Sequence, residues 1–200
     1  FCENWQSALP LVALQYHDVE LRITWGTSAD TKSWNVYANY AYLDTDERAA
    51  FSSGSQNMLI TQVQKSIASK AKVQELNFNH PIKYLAAGKD SAMTILDKAN
   101  KLKLQINGTD ITDYKFADPN FTSVPLYYHT TNSSVRGDKL FFVPFCLDAA
   151  KLQPTGTLNF SRLDSARIQS TAQDFDEDIY AVNYNVLRIE NGMGGLLYSN

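Results

Sequence analysis

Apolar and polar residues alternate in two runs near the start of the chain, at 19–25 and 34–42. Successive side chains of a β-strand point to opposite faces of the sheet, so this alternation places the apolar side chains on one face. The apolar positions are Val19, Leu21, Ile23, Trp25, Trp34, Val36, Ala38, Tyr40 and Tyr42. A small polar cluster at 26–30 separates the runs and predicts a hairpin or loop. The two runs are therefore predicted to be antiparallel strands, each with one buried and one wet face.

Six further segments have the length and apolar content of strands. They are 58–65, 73–78, 101–106, 140–147, 166–171 and 179–189. Short helices are predicted at two places only. Asp44 followed by Glu47 forms an approximate capping box, which predicts one or two helical turns ending before Gly54. Residues 90–100 have apolar side chains at helical spacing and predict a second short helix within a loop.

The order of these elements predicts the fold class. About eight strands without βαβ alternation favour a sandwich or jelly roll over a doubly wound sheet. Residues 107–139 alternate poorly and contain several turn signals, so we expect a long excursion from the sandwich. A chain of 200 residues is a usual length for one large β domain. We therefore expect an all-β, eight-stranded antiparallel jelly-roll sandwich with one or two short helices in loops, with 1–200 as a single domain.

Charge and hydropathy exclude several classes of function. The 18 basic and 21 acidic residues give a net charge of -3 and form no basic stripe, which disfavours direct nucleic-acid binding. No apolar stretch approaches the roughly 18–20 residues that a bilayer span needs. The two cysteines, Cys2 and Cys146, form neither a disulfide framework nor a zinc-binding pair. The acidic cluster at 174–178 is interpreted as a solvated loop.

Candidate catalytic and ligand-binding residues are few. The three histidines, His17, His80 and His129, lie far apart in sequence and have no carboxylate at ligand spacing, so structural roles are preferred to a metal site. His80 precedes Pro81 and is expected to be extended at a strand end. The glycines at 192–195 lack the following helix of a phosphate-binding loop, and are expected to permit a turn or close packing. We therefore assign no catalytic, cofactor-binding or metal-binding residue and expect no cofactor.

Four sequons for N-glycosylation begin at Asn107, Asn120, Asn132 and Asn159. Short patterns of this kind arise by chance, so the sequence leaves the glycosylation of each asparagine open.

Several long segments resemble the major capsid proteins of nucleocytoplasmic large DNA viruses, most nearly the chlorella-virus branch. The segments are ALPLVALQYHDV at 8–19, LDTDER at 43–48, LNFNHPIKYL at 76–85, PTGTLNFSR at 154–162, YAVNYNVLRI at 180–189 and GMGGL at 192–196. The segment at 154–162 is similar to the family's P-[ST]-G-x-x-N-F-S-R turn and strand. These matches are ordered along most of the chain, so they are far more specific than any short motif.

The resemblance implies a double jelly-roll protein, of which this chain is the C-terminal half, with Phe1 just before the second jelly roll and the N-terminal half absent. Three chains would form a pseudo-hexagonal capsomer, a homotrimer. The implied partners are neighbouring capsomers, minor capsid proteins and the internal viral membrane, with no direct nucleic acid. The implied location is the capsid shell of the virion, assembled in the host cytoplasm, and the implied role is structural and not enzymatic.

Two other interpretations remain open at this point. Jelly rolls often bind sugars, so a carbohydrate-binding β-sandwich module is the main alternative, and it would need exposed Trp or Tyr rings for stacking. A metal-dependent enzyme of the cupin type is the weaker alternative, and it would need histidines brought together by the fold.

Overall fold

The computed structural model describes residues 7–27, 29, 32–131 and 139–199. Phe1, Cys2, Asn132 and positions 28 and 30 of the polar cluster lie outside the described residues. Contacts divide the chain into two units. The first unit combines Phe1–Leu59 with Val186–Ser199, and the second spans Ile60–Asn185.

Strands dominate the second unit and extend into the first. Within the described residues they are β1 Gln56–Ser66, β2 Val73–Glu75, β3 Pro81–Gly88, β4 Lys101–Ile106, β5 Thr109–Asp110, β6 Lys115–Phe116, β7 Leu140–Pro144, β8 Leu158–Asn159, β9 Ala166–Ser170, β10 Ile179–Glu190 and β11 Met193–Leu196. The described helices are α1 Thr45–Ser53, α2 Ala117–Asn120 and α3 Ser123–His129. Short 3-10 turns occur at Leu11–Ala13, Thr94–Leu96 and Phe160–Arg162.

The strands form two sheets. The six-stranded sheet has the order β1-β10-β3-β7, with β11 beside β10 and β8 beside β3. The five-stranded sheet has the order β2-β9-β4-β5, with β6 beside β4. The pairs of β3 with β10 and β7, and of β9 with β2 and β4, are antiparallel. Strands adjacent in sequence mostly belong to opposite sheets, which is the connectivity of a jelly roll.

The core of the second unit lies between its two sheets. Leu85 and Phe141 contribute from the six-stranded sheet, and Leu102 and Ile168 contribute from the five-stranded sheet, each with at most 1% of its surface exposed. The two inner faces interdigitate in one apolar cluster, as in other sandwiches. The predicted all-β, antiparallel jelly-roll class with short helices is confirmed.

All six strands predicted after residue 55 are present, two of them shortened. The segments 58–65, 101–106, 166–171 and 179–189 correspond to β1, β4, β9 and β10, whereas 73–78 and 140–147 form the shorter strands β2 and β7. The sequence interpretation missed β3, because its buried run IKYLAAG does not alternate. A strand whose outward side chains are also mostly apolar reads as a nearly continuous apolar run, so periodicity cannot identify it.

The strands predicted at 19–25 and 34–42 are absent from the structure, and that prediction is wrong for this chain by itself. The described residues of 17–43 belong to no helix or strand. The apolar side chains of both runs are exposed, with Leu21 at 70% and Tyr42 at 93%. A strand needs a hydrogen-bonded neighbour, and alternation reports only how side chains would be distributed if a neighbour were present.

The helix predictions have opposite outcomes. In α1 the capping box is complete, because the Asp44 carboxylate accepts from the Glu47 N–H at 2.8 Å and the Glu47 carboxylate accepts from the Asp44 N–H at 3.0 Å. The helix predicted at 90–100 is wrong, because only the Thr94–Leu96 turn forms there. Its apolar spacing instead reflects the burial of Ile95 and Leu96 in the core.

Candidate interaction surface

The outward face of the six-stranded sheet is apolar. Tyr84 lies opposite Val182, and Ala86 lies opposite Tyr180, while the residues between them point into the core. On β1, Val63 points outward, because its neighbours Gln62 and Gln64 turn inward to bond Asn185 and Asn183. We call Val63, Tyr84, Ala86, Tyr180 and Val182 the sheet flank. Val63 is 66% exposed and Tyr180 is 41% exposed, so the sheet flank presents apolar surface to solvent.

Charge at the edge of the sheet flank is neutralised locally. Lys65 forms an ion pair with Asp178 at 2.6 Å, and its Nζ lies 5.9 Å from the centroid of the Tyr180 ring. The hydrogen bond from Lys65, followed by the one from the Ala68 N–H, lowers the pKa of the Asp178 carboxyl. The edge therefore adds no net charge that would oppose an apolar contact.

The outward face of the five-stranded sheet differs in chemistry. Lys103 pairs with Asp110 at 2.8 Å, and the Arg167 guanidinium donates to the Gln105 side chain. Residues on this face satisfy one another's hydrogen bonds, as expected of a surface in contact with water. The two outer faces of the sandwich therefore differ: the sheet flank is mostly apolar, whereas the other face combines paired polar groups with the exposed rings of Tyr114 and Phe116.

A buried lysine lies beside the sheet flank. Lys83 is only 6% exposed, donates from Nζ to the Ala149 carbonyl at 3.1 Å, and lies 5.1 Å from the centroid of the Tyr184 ring. The Tyr184 hydroxyl is buried and has no hydrogen-bond partner among the described residues. Burial raises the pKa of the Tyr184 phenol. The sequence interpretation missed this group, because a lysine within a strand is normally a solvated residue.

The three histidines do not come together. His17 Nδ1 accepts from the Gly194 N–H at 3.1 Å. The His80 backbone N–H donates to Ser161 Oγ at 2.8 Å, and His80 has a φ of 67°, so the expectation of an extended residue before Pro81 is wrong. His129 Nδ1 lies 2.8 Å from the Cys146 carbonyl, which can only accept, so this nitrogen carries a proton. The rings of His17 and His129 form structural hydrogen bonds, whereas the bond given for His80 comes from its backbone.

Neither a metal site nor a reactive thiol is present in the described part of the chain. It contains no cluster of three or more His, Cys, Asp or Glu side chains that could hold an ion. Burial raises the pKa of the Cys146 thiol, which disfavours the nucleophilic thiolate. No helix in the same part of the chain combines the length and apolar character of a membrane span.

The acidic segment at 174–178 is a loop in which three of the four carboxylates pair with lysines. Besides Asp178 with Lys65, Glu177 pairs with Lys89 at 2.5 Å. Asp176 lies 3.7 Å from Lys70. The prediction of a loop at 174–178 is confirmed, although Glu177 and Asp178 are half-buried rather than fully solvated.

The C-terminal glycines permit a turn and close packing, as expected. Gly192 has a φ of 78° in the turn between β10 and β11. A Cβ at Gly192 would lie 2.6 Å from the Tyr16 ring, and a Cβ at Gly194 would lie 3.0 Å from Leu14. The Tyr16 N–H also donates to the Gly192 carbonyl at 2.9 Å. These glycines therefore hold residues 14–17 against the β10–β11 hairpin within the first unit.

The described sequon asparagines use their side-chain amides internally. Asn107 Oδ1 accepts from the Asp164 N–H at 2.9 Å, and Asn159 Oδ1 accepts from the Ser161 N–H at 3.1 Å. Asn120 Nδ2 donates to the Phe116 carbonyl at 3.0 Å. These bonds give each asparagine a local structural role in the protein.

Exposed tyrosines on α3 test the carbohydrate-binding alternative. Tyr127 and Tyr128 are largely exposed, with ring centroids 5.1 Å apart and an interplanar angle of 89°. Perpendicular rings do not provide one flat platform on which a sugar face could stack. This pair therefore gives little support to a sugar-binding module.

Comparison with known proteins gives a consistent result. Residues 87–195 match the sequence model of the family described as large eukaryotic DNA virus major capsid protein. The chain is 37% identical over its whole length to the major capsid protein of Pyramimonas orientalis virus, covering 59% of that protein. It is 30% identical over 96% of its length to the major capsid protein of Paramecium bursaria Chlorella virus 1, covering 63% of that protein. The chain thus spans about six-tenths of the length of these relatives.

The fold leads to the same group. The structure is similar to a protein of the PBCV-1 virus capsid, with a TM-score of 0.62 and 26% identity, over 80% of this chain and 55% of that one. PBCV-1 VP54 matches with the same TM-score and 28% identity. The sequence comparison and the structural comparison therefore both lead to viral capsid proteins.

Proposed function

This chain belongs to the large eukaryotic DNA virus major capsid protein family, and from that premise we propose that it is a structural subunit of the virion shell that acts by assembly. Its relatives are capsid proteins by name, and the described residues hold neither a metal cluster nor an activated thiol. A rigid two-sheet sandwich suits such a role, because its shape can be repeated without rearrangement. No residue is assigned a catalytic function.

The sheet flank is the proposed contact between copies in a homotrimer. A closed threefold assembly is heterologous, so each copy presents two different patches that fit each other. The contrast between the two outer faces supports the sheet flank as one of them, because Val63 and Tyr180 expose apolar surface while Lys103 and Arg167 are paired with other polar side chains. Burial of apolar surface is the main favourable term in most protein association.

The remaining partners follow from the same assembly. Trimers would form pseudo-hexagonal capsomers that contact neighbouring capsomers in the shell, and their inner ends would face minor capsid proteins and the internal viral membrane. The net charge of -3 supports the absence of direct nucleic-acid binding. Assembly would take place in the host cytoplasm.

We also propose that this chain is part of a longer protein with two jelly rolls. The two sheets built from Gln56–Leu196 would be the second of two jelly rolls in a longer protein. The coverage of only 59–63% of the relatives supports this organisation, because the relatives contain additional chain.

The trimer can be tested by mass measurement on the complete gene product. We expect light scattering to give about three times the chain mass, and Val63→Glu to shift the population to monomer, because a carboxylate in an apolar contact loses hydration without a partner. Gln169→Glu, on the outward face of the five-stranded sheet, adds the same charge and is expected to leave the trimer intact. A strictly monomeric wild-type protein would contradict the proposed assembly. Equal loss of trimer in both variants would contradict the role of the sheet flank.

A further inference from the structure

A polar cleft of about 280 Å³ lies within the second unit, between two segments that cross from one sheet to the other. One segment, 76–80, connects β2 to β3, and the other, 160–165, connects β8 to β9. Pockets for drug-sized molecules usually measure about 300–1,000 Å³. The cleft is therefore suited to a single side chain or a group of similar size.

Hydrogen bonds tie the two walls of the cleft together on both sides of it. On one side the Leu76 N–H donates to the Ala166 carbonyl at 2.9 Å. On the other side the Phe160 N–H donates to the His80 carbonyl at 3.1 Å, and the His80 N–H donates to Ser161 Oγ at 2.8 Å. The walls are thus held apart in a fixed frame, which lowers the cost of ordering the site when a ligand binds.

Four polar side chains that line the cleft have no partner among the described residues. They belong to Asn77, Asn79, Asp164 and Ser165. The backbone of the last two is nevertheless fixed, because Asn107 Oδ1 accepts from the Asp164 N–H at 2.9 Å and from the Ser165 N–H at 3.2 Å. Carboxylate, amide and hydroxyl oxygens all accept hydrogen bonds. The cleft therefore offers several free acceptors in a fixed frame.

The charge of the cleft is negative and is not compensated locally. Asp164 is the one ionisable residue in the lining, and it forms no ion pair with the described part of the chain. Arg162 belongs to the same wall but does not line the cleft. Elsewhere in this unit Asp110 and Asp178 pair with lysines at 2.8 and 2.6 Å. The cleft thus lacks the cation that those carboxylates have.

We infer that the cleft binds the guanidinium group of an arginine side chain that belongs to another protein chain. A guanidinium has five N–H donors in one plane and is always charged, so it can pair with both oxygens of the Asp164 carboxylate and still donate to the amide and hydroxyl oxygens. The rings of Phe78 and Phe160 also line the cleft, with centroids 6.0 Å apart, and provide an apolar surface for the methylene stem. The inference does not depend on trimer formation.

Other ligand classes fit the cleft less well. A sugar would need an open aromatic face, whereas Phe78 and Phe160 are only 5% and 3% exposed. Calcium is usually held by more than one carboxylate, and the described residues contain no metal-binding cluster. An anion would be repelled by Asp164. A lysine ammonium would supply the charge, but its donors radiate from one atom and cannot form the bidentate pair.

Saturation-transfer NMR on the complete gene product tests the site with three small probes. They are N-acetylarginine amide, its neutral isostere N-acetylcitrulline amide, and N-acetyllysine amide. We expect the arginine amide to bind about 10-fold more tightly than the citrulline amide and about 3-fold more tightly than the lysine amide, because only the guanidinium combines charge with a planar set of donors. Equal binding of the arginine amide and either of the other probes would overturn the inference.

Paired substitutions locate the binding of the arginine amide. Asp164→Asn is expected to weaken it about 10-fold, because the charge is lost while the shape is kept. This variant should fold, since the Asp164 side chain has no partner among the described residues and its backbone bond to Asn107 is retained. Asp174→Asn removes a carboxylate that does not line the cleft and should bind like the wild type. Unchanged binding in Asp164→Asn, or an equal loss in both variants, would count against the cleft.

Photo-cross-linking in purified particles tests whether the arginine comes from another chain. A photoreactive phenylalanine analogue at Asn77, on the exposed rim of the cleft, is expected to cross-link to a segment of another chain that contains an arginine. The cross-link should be lost when Asp164→Asn is added. Particles that contain the protein but give no such cross-link would overturn the assignment to another chain. Absence of the protein from particles would contradict the proposed function, whereas the probe titrations decide the chemistry of the cleft independently.

Discussion

At the residue scale, single side chains connect segments that are distant in sequence. The Asp178 carboxylate accepts from the Ala68 N–H at 2.9 Å and from Lys65, and so joins the loop before β10 to the end of β1. Lys83 differs from Asp178 in having no partner of opposite charge. Its buried side chain contacts the Ala149 carbonyl and the Tyr184 ring instead of a carboxylate. Each arrangement depends on residues more than 60 positions apart.

Asp178→Asn is expected to lower stability at neutral pH by weakening the pair with Lys65. The folded-state pKa of Asp178 is lowered from 3.8, so its contribution is present above that value and is lost as the pH falls through the folded pKa. The difference between wild type and variant should therefore be full at pH 7 and shrink below about pH 4. Urea unfolding midpoints across this range measure it. Asp174→Asn removes a charge that forms no ion pair with the described residues, and an equal pH-dependent effect there would contradict the explanation.

At the element scale, the β10–β11 hairpin depends on one glycine. Gly192 adopts a left-handed φ of 78° and lies against Tyr16, whereas a Cβ added at Gly195 would have no neighbouring atom within 4 Å. The hairpin places Leu187 opposite Leu196 and Ile189 opposite Gly194. Because turn geometry fixes the register of a hairpin, a change of backbone conformation at Gly192 would shift the pairing of β10 with β11.

Gly192→Ala is expected to destabilise the hairpin by about 1–2 kcal/mol from the left-handed backbone alone, with a further cost from displacing Tyr16. Gly195→Ala has space for the new methyl group and should be close to neutral. Thermal unfolding and the exchange rates of the β11 amides measure both effects. Similar losses in the two variants would show that strand packing, and not the turn, controls this element.

At the scale of the whole molecule, the unequal outer faces of the sandwich suggest that folding and assembly are linked. The sheet flank is mostly apolar, whereas the opposite face combines paired polar groups with the rings of Tyr114 and Phe116. A protein that binds its own copies only when folded becomes more stable as its concentration rises.

The thermal midpoint of the complete gene product is therefore expected to rise with protein concentration across the range where trimers form. Val63→Glu should abolish most of that dependence while leaving the midpoint of the dilute protein nearly unchanged, because Val63 is already exposed in the single copy. Calorimetry at a series of concentrations measures the effect. A midpoint independent of concentration, in a sample shown to be trimeric when cold, would mean that assembly contributes nothing to folding stability.

The sequence alone determined the features that depend on neighbouring residues. Segment length and apolar content located β1 and β10, the Asp44–Glu47 spacing located α1, and the ordered segments at 8–19 and 154–162 indicated the family. These signals are local, because side-chain direction along a strand and the capping of a helix are set within a few residues.

Tertiary structure decided which elements find partners. β3 became the centre of a sheet although its sequence does not alternate, while residues 19–25 and 34–42 alternate and form no strand with the described part of the chain. Lys83 was buried, and the sheet flank was separated from the polar face, only when distant strands came together. The physical reason is that periodicity specifies how a strand would divide its side chains, whereas the hydrogen-bonding neighbour and the covering layer come from elsewhere in the chain or from outside it.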